Sequence, residues 1–312
     1  MSPRVTLLAG GVGGSRLADG LWRALPHGDL RVIANVGDDF ELHGLTICPD
    51  HDTLLYTLAG LGDRERGWGL AGETWNALDQ FSRLGAPDWF RLGDRDLALH
   101  VHRTARLREG ARLTEVNREL QRHLGLAEAP ILAASDAPLR TRLRTDAGWT
   151  AFQPWFVGAR AEPMVHEVAF DGAATATPEV LEALGEAERI YIAPSNPLIS
   201  IAPILAVAGI REALGAARHR GVEVIGVSPI VGGAALKGPA DRMLAAAGLP
   251  VSPAGVAAAL HGIMDALVVE AGDRDAALDS AAAPHVGRLI SGDIVMRDEA
   301  DRVRLARELL AL

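Results

Sequence analysis

The sequence predicts an α/β protein built on a Rossmann-like, doubly wound and mainly parallel sheet. Five segments share one grammar, an aliphatic run closed by small and polar residues. They are "RVTLLAGGVGG" (4–14), "LRVIANVGDD" (30–39), "APILAASDAPL" (129–139), "ERIYIAPSNPL" (188–198) and "VEVIGVSPIVGG" (222–233). Apolar runs without alternation suit strands covered on both faces, as parallel sheets require. Between the first two, Leu17, Leu21, Ala24 and Leu25 fall on one helical stripe, which gives the strand–helix–strand unit of such folds.

The remaining elements follow along the chain. Residues 53–125 have helical spacing, many arginines and the tryptophans Trp68, Trp75 and Trp89, and read as a helical insertion over the ligand end of the sheet. Trp68 and Trp75 are expected in the core, as large aromatic residues usually are. Segment 150–170 alternates and is expected to add strands. "DEADRVRLARELLAL" (298–312) reads as an amphipathic helix with an acidic start and an apolar face of Val303, Leu305, Leu309 and Leu310. No repeat, low-complexity tract or linker interrupts the chain, so residues 1–312 are expected to form a single α/β domain.

Composition narrows the function. A net charge of −9 argues against a general nucleic-acid surface, so a phosphorylated ligand needs a local site. Cys48 is the only cysteine, which excludes an internal disulfide and a cysteine-based zinc site. No apolar stretch reaches the roughly 18 residues of a membrane span. The first apolar run is too short and too glycine-broken for a signal peptide, and a cytoplasmic location is expected.

In doubly wound sheets ligands bind beyond the carboxyl ends of the strands. That rule predicts convergence of Gly10–Gly14, Asn35–Asp39, Ser195–Pro197 and Ser228–Gly233. The plainer alternative is that each loop only terminates a strand. "LLAGGVGGSR" (7–16) is a strand-to-helix turn with four glycines, the kind that cradles phosphate, yet it matches neither common class. The dinucleotide fingerprint needs glycine where Arg16 stands, and a P-loop needs a Gly-Lys-Ser/Thr ending. Gly13 is expected to let the backbone approach a diphosphate closely.

Carboxylates gather next to this loop, Asp38 and Asp39 in "NVGDDFELHG" and Asp50 and Asp52 in "CPDHDTLLY". One or two carboxylates completed by water and substrate phosphate are how Mg²⁺ is commonly held. The alternative is that Asp38 and Asp39 cap a turn and Asp50 caps the following helix. Lys237, the only lysine beside 30 arginines, stands in a glycine-rich loop and suggests a phosphate contact. His43, His51, His100 and His102 lack zinc spacing, and Ser15 and Ser195 lack a nucleophile elbow.

The chain resembles the 2-phospho-L-lactate transferase family of coenzyme F420 biosynthesis, which includes phosphoenolpyruvate-using members. The resemblance spans essentially the whole length, through "GGVGGSRLADGL" (10–21), "NVGDD" (35–39), "ICPDHDTLLYTLAG" (47–60), "RGWGLAGETWNA" (66–77), "DWFRLGDRDLALHVHRT" (88–104), "APSNPLISIAPIL" (193–205) and "VSPIVGGAALKGPADRM" (227–243). His51 departs from it, standing where the family more often has an apolar residue.

The resemblance implies a donor in which a three-carbon acid is joined to guanosine diphosphate. It implies as acceptor the deazaflavin Fo, 7,8-didemethyl-8-hydroxy-5-deazariboflavin, and as products GMP and F420-0 or its dehydro form. Donor contacts are implied at Gly10, Gly11, Val12, Gly13, Gly14, Ser195, Asn196, Pro197, Ser228, Gly232 and Lys237. Acceptor contacts are implied at Trp89, Asp94, His100 and Arg103. Asp38 and Asp50 would hold Mg²⁺, Asp39 or Asp52 would orient or deprotonate the acceptor hydroxyl, and the assembly would be a homodimer. Two rival readings share parts of this pattern, a non-enzymatic nucleotide-sugar-binding regulator and a nicotinamide-dependent oxidoreductase.

Overall fold

The structure, a computed structural model, describes residues 2–275 and 288–312. Strand β1 (Val5–Ala9) leads through helix α1 (Gly11–Ala24) to β2 (Leu30–Ala34). A hairpin of β3 (Phe40–Leu42) and β4 (Leu45–Ile47) follows, then four helices: α2 (Pro49–Leu58), α3 (Asn76–Arg83), α4 (Asp94–Arg108) and α5 (Leu113–His123). The chain re-enters the sheet at β5 (Ile131–Ala133) and leaves again into the antiparallel strands β6 (Arg140–Thr145), β7 (Gly148–Ala151) and β8 (Glu167–Asp171). Helix α6 (Pro178–Glu186) and β9 (Arg189–Ile192) return it. Helices α7 (Ala202–Ala206) and α8 (Ile210–His219) then lead to β10 (Val224–Val227). A tight hairpin, β11 (Ile230–Val231) with β12 (Ala234–Ala235), precedes α9 (Ala240–Ala246), α10 (Pro253–Ala259), β13 (Ala266–Glu270), β14 (Arg288–Gly292) and a terminal helix, Glu299–Leu310.

Seven strands form one parallel sheet in the order β14-β13-β10-β9-β1-β2-β5. Two cores lie on its two faces. Val5, Leu7 and Ala9 of β1 join α1, α2 and the terminal helix on one side, while Leu8 joins α6, α8 and α10 on the other. Burial on both faces explains why these strands read as continuous apolar runs. Among the described residues no helix is long and apolar enough to cross a membrane.

The order places a switch point at the middle of the sheet. From β1 the chain moves outward to β2 and β5, then returns to β9 on the opposite side of β1 and moves outward the other way. Loops leaving β1 and β9 therefore diverge and open a crevice between them, the place where such sheets bind ligands.

Several expectations are corrected here. Strands β13 and β14 and the β3–β4 hairpin lie outside the five predicted segments. Segment 150–170 is only partly extended, because Pro154–Gly158 winds into a wide turn closed by the Ala159 N–H on the Pro154 carbonyl at 2.8 Å. The terminal helix forms as expected. Asp298 caps it by accepting from the Asp301 N–H at 2.9 Å, and Leu305 and Leu309 are buried against α1.

Candidate active site

The glycine turn is shorter than its sequence suggests. Helix α1 begins at Gly11, so Gly11, Val12 and Gly13 form its first turn and present the N–H groups that no helical carbonyl can reach. Two neighbouring donors are already engaged. The Gly10 N–H meets Ser195 Oγ at 3.3 Å, and the Gly11 N–H meets Asp50 Oδ1 at 2.8 Å. The Val12 and Gly13 N–H groups meet no acceptor among the described residues, and both residues line a cavity of about 630 Å³. Two free donors at the positive end of a helix form an anion site.

Gly10 is required by crowding. A Cβ there would stand 2.5 Å from Asp50 Oδ2, 2.9 Å from Ser200 Cβ and 3.3 Å from Asn35 Cβ. Gly13 has a packing requirement of its own. A Cβ there would collide with the Pro194 carbonyl oxygen, so its missing side chain packs the β9 loop against α1.

Asn35, at the end of β2, organises the acids. Its Nδ2 donates to Asp38 Oδ1 at 3.0 Å and to Asp50 Oδ2 at 2.9 Å, and its Oδ1 accepts from the Gly37 N–H at 2.7 Å. Asp38 and Asp50 are thus drawn together, both buried and both on the cavity wall. Burial raises both carboxyls above their ordinary range, and the Asp50 charge raises Asp38 further. A pair of buried acids repelling each other at a cavity wall suits a hard divalent cation, which would relieve both penalties. Among the described residues no three His, Cys, Asp or Glu side chains are arranged to hold a metal ion, so such an ion would draw its other ligands from water and substrate phosphate.

Asp52 and Asp39 behave differently from this pair. Asp52 lines the cavity but is clamped by Arg103, through Nη1 to Oδ2 at 2.9 Å and a second contact from Nη2 to Oδ1. Burial alone would raise its carboxyl, but the Arg103 charge and hydrogen bonds from His51 and Arg103 hold it well below the usual range. Asp39 does not line the cavity. It lies toward Cys48, Arg140 and Arg103, and burial pushes its carboxyl up to about 7 against the pull of both arginines.

The structure brings most of the other expected contacts to this wall and removes some. Ser195, Asn196, Ser228, Lys237, Trp89 and His100 line the cavity. Ser195 Oγ is committed to the Gly10 carbonyl at 2.7 Å, and Ser228 Oγ to the Ile230 carbonyl at 2.9 Å, so both shape loops. Gly14 and Pro197 are buried behind the wall. Gly232 turns the β11–β12 hairpin and donates to Asp273 at 2.9 Å. Arg103 is fully buried behind Asp52. Asp94 is spent on the preceding turn, accepting from Thr74 Oγ1 at 2.6 Å, Asn76 Nδ2 at 2.7 Å and the Ala77 N–H at 2.9 Å.

Several cationic wall residues were not anticipated. Arg16, Arg66, Arg91 and Arg297 join Lys237, so five cationic side chains share the wall with Asp38, Asp50, Asp52 and Asp96. Arg16, one turn beyond the glycines on the same helix, was open to discovery from helical spacing alone. Trp68 lines the mouth and is 41% exposed, so it is not a core residue. Arg66 lies 5.3 Å from the Trp68 ring and 5.4 Å from that of Trp75, and Arg91 covers Trp75 at 4.3 Å. These stacks help order two guanidinium groups, and Arg66 is held further by the Asp63 carboxylate at 3.0 Å. Trp89, Phe90, Phe152 and Phe156 supply an aromatic end.

Comparison with known proteins identifies the family and the fold. A family model described as "2-phospho-L-lactate transferase CofD" matches residues 5–306. The chain belongs to the 2-phospho-L-lactate transferase family. Relatives named phosphoenolpyruvate transferase include that of Streptomyces coelicolor, 40% identical over 99% of this chain and 98% of its own. Another, from Mycolicibacterium smegmatis, is 42% identical over 86% of this chain and 88% of its own. The fold is shared with a crystal structure of a UPF0052 family member from Bacillus halodurans. That likeness has a TM-score of 0.66 at 16% identity and covers 99% of both chains. As a member of the transferase family, the protein is an enzyme, and the nicotinamide-dependent reading loses its support.

Proposed function

We propose that the protein moves a phospho-three-carbon-acid group, 2-phospholactyl or enolpyruvyl phosphate, from its guanosine diphosphate conjugate to Fo, with Mg²⁺ bound. The observation that supports this best is the pairing of two free N–H groups, at Val12 and Gly13, with the Asp38–Asp50 acids on the wall of one aromatic, cationic cavity.

The terminal ribityl hydroxyl of the acceptor attacks the phosphorus that bears the acid. A new P–O bond forms, the anhydride P–O bond breaks, GMP leaves with the electron pair, and the hydroxyl proton passes to water as its oxygen becomes an ester. Transition states of this kind are loose, so catalysis rests on positioning and charge neutralisation more than on a strong base. The Val12 and Gly13 N–H groups hold the diphosphate, while Arg16 and Lys237 supply positive charge along the wall. Asp38 and Asp50 would hold Mg²⁺, which when bound neutralises charge on the phosphoryl oxygens. Asp52, kept ionised by Arg103, accepts a hydrogen bond from the incoming hydroxyl and orients it. Trp89 and its aromatic neighbours offer the acceptor a flat apolar seat.

The test is product formation. Incubation with Fo and a lactyl- or enolpyruvyl-diphosphoguanosine should yield F420-0 or dehydro-F420-0, identified by mass, together with GMP. A chelator should abolish the product and added Mg²⁺ restore it. Full turnover in chelator overturns the metal assignment, and no product from any donor overturns the proposed reaction.

A further inference from the structure

Gln153 is an unusual member of the cavity wall. Its residue is 5% exposed, yet its carboxamide meets no hydrogen-bonding partner among the described residues. It sits at the entrance to the wide turn Pro154–Gly158 without capping it. Turns wound more widely than an α-helix recur at functional sites because they re-aim side chains at modest cost in backbone bonding. The Gln153 carboxamide atoms are not among the sealed, unpartnered groups of the described residues, so they open onto the cavity and are free to bond what enters it. The neighbouring polar group is satisfied, with the Trp155 indole N–H donating to the Pro163 carbonyl at 2.8 Å. The unspent capacity therefore belongs to Gln153 and faces the cavity.

The surroundings define what it can meet. Phe152 and Phe156 flank it in sequence and stack on each other at 5.3 Å and 12°. At the far end of the turn, a Cβ built on Gly158 would stand 3.6 Å from the Trp89 ring. Gln153 thus belongs to the aromatic end of the cavity. A carboxamide offers a carbonyl and an N–H side by side, which matches a planar ring edge carrying an adjacent N–H and carbonyl.

Resting on the acceptor reading above, we infer that Gln153 reads the imide edge of the acceptor's heterocycle, pairing with its ring N–H and a neighbouring carbonyl. It is a specificity residue, remote from the phosphorus. Guanine offers the same kind of edge, so the test has an arm for each ligand.

Fo binding is followed by visible absorbance, and GMP binding by calorimetry, on wild type and on Gln153→Met, which keeps side-chain length but removes the pairing. Gln153→Met should weaken Fo roughly ten- to a hundredfold. GMP affinity and Tm should stay unchanged. Fo methylated at the imide nitrogen adds a second measurement. Wild type should bind it as weakly as the variant binds Fo, whereas the variant should not distinguish the two. Unchanged Fo binding by Gln153→Met overturns the inference. Loss confined to GMP overturns it in favour of guanine, and loss of both with a lower Tm shows a structural role. Wild type that binds no Fo at all refutes the acceptor reading and the assignment with it.

Discussion

Asp39 is the group through which burial should be felt most plainly as a dependence on pH. It is 4% exposed, and one of its carboxyl oxygens has no hydrogen-bonding partner among the described residues. Burial lifts its carboxyl from 3.8 to about 7, with Arg140 and Arg103 opposing the rise. The native protein therefore holds this proton to higher pH than the unfolded chain does. Below the unfolded value both states are protonated and Asp39 has no effect. As pH rises toward about 7 the native state increasingly resists an ionisation that the unfolded chain has completed, so stability falls and then levels off. The full penalty is about 4 kcal/mol, of which about 2 kcal/mol develops between roughly pH 5.5 and pH 8.5. Asp39→Asn keeps the shape and removes the ionisation. In urea denaturation with chelator present, the variant should gain about 2 kcal/mol on wild type across that interval. A stability difference that does not vary with pH refutes the reasoning and shows Asp39 ionised throughout, paired to its arginines.

Other outcomes test the nucleotide site and the glycine turn. GDP or GMP should raise Tm more than ADP or NAD does, because only a ligand that favours the native state stabilises it, and equal protection by NAD would count against a guanosine site. Gly13→Val should lower Tm and weaken donor and Fo together, since its side chain collides with the Pro194 carbonyl. A folded Gly13→Val that loses the donor alone would reverse that assignment. Gly11 has a φ of 65° and open space where a Cβ would go, so Gly11→Ala should cost only about 1–2 kcal/mol of backbone strain and leave Fo affinity intact.

Much of this molecule is legible in its sequence because strand ends announce themselves. Runs buried on both faces stop at Gly10, Asn35, Ser195 and Ser228, and the parallel sheet brings those stops to one edge. Strand β13 was missed although "ALVVE" is apolar and a short Ala271–Asp273 turn follows it, because that turn is too brief to carry the longer small and polar signature that closes the other strands. Asp94 and Gly232 misled for a shared reason. Each lies inside a telling motif, but local geometry consumes it, in the 74–77 turn and in a hairpin. Gln153 left no sequence signal at all, since its meaning depends on a wide turn whose far end, Gly158, packs against the distant Trp89 ring, and on a cavity that Gln153 and Trp89 both line. Trp68 shows the same limit, because residue type gives size and apolarity but not which side of a cavity mouth a ring occupies.

The strand order also sets a timetable for synthesis. One edge of β1 pairs with β2, reached by residue 30, but its other edge waits for β9, which begins at Arg189. From residue 30 to residue 189 the growing chain carries an apolar strand with one open side, a template for wrong pairing. The crevice between β1 and β9 cannot exist before that edge closes, and neither can the anchoring of Gly10 by Ser195. Ligand can therefore reward only the last stage of folding. Substrate cannot rescue a chain stalled before β9 docks.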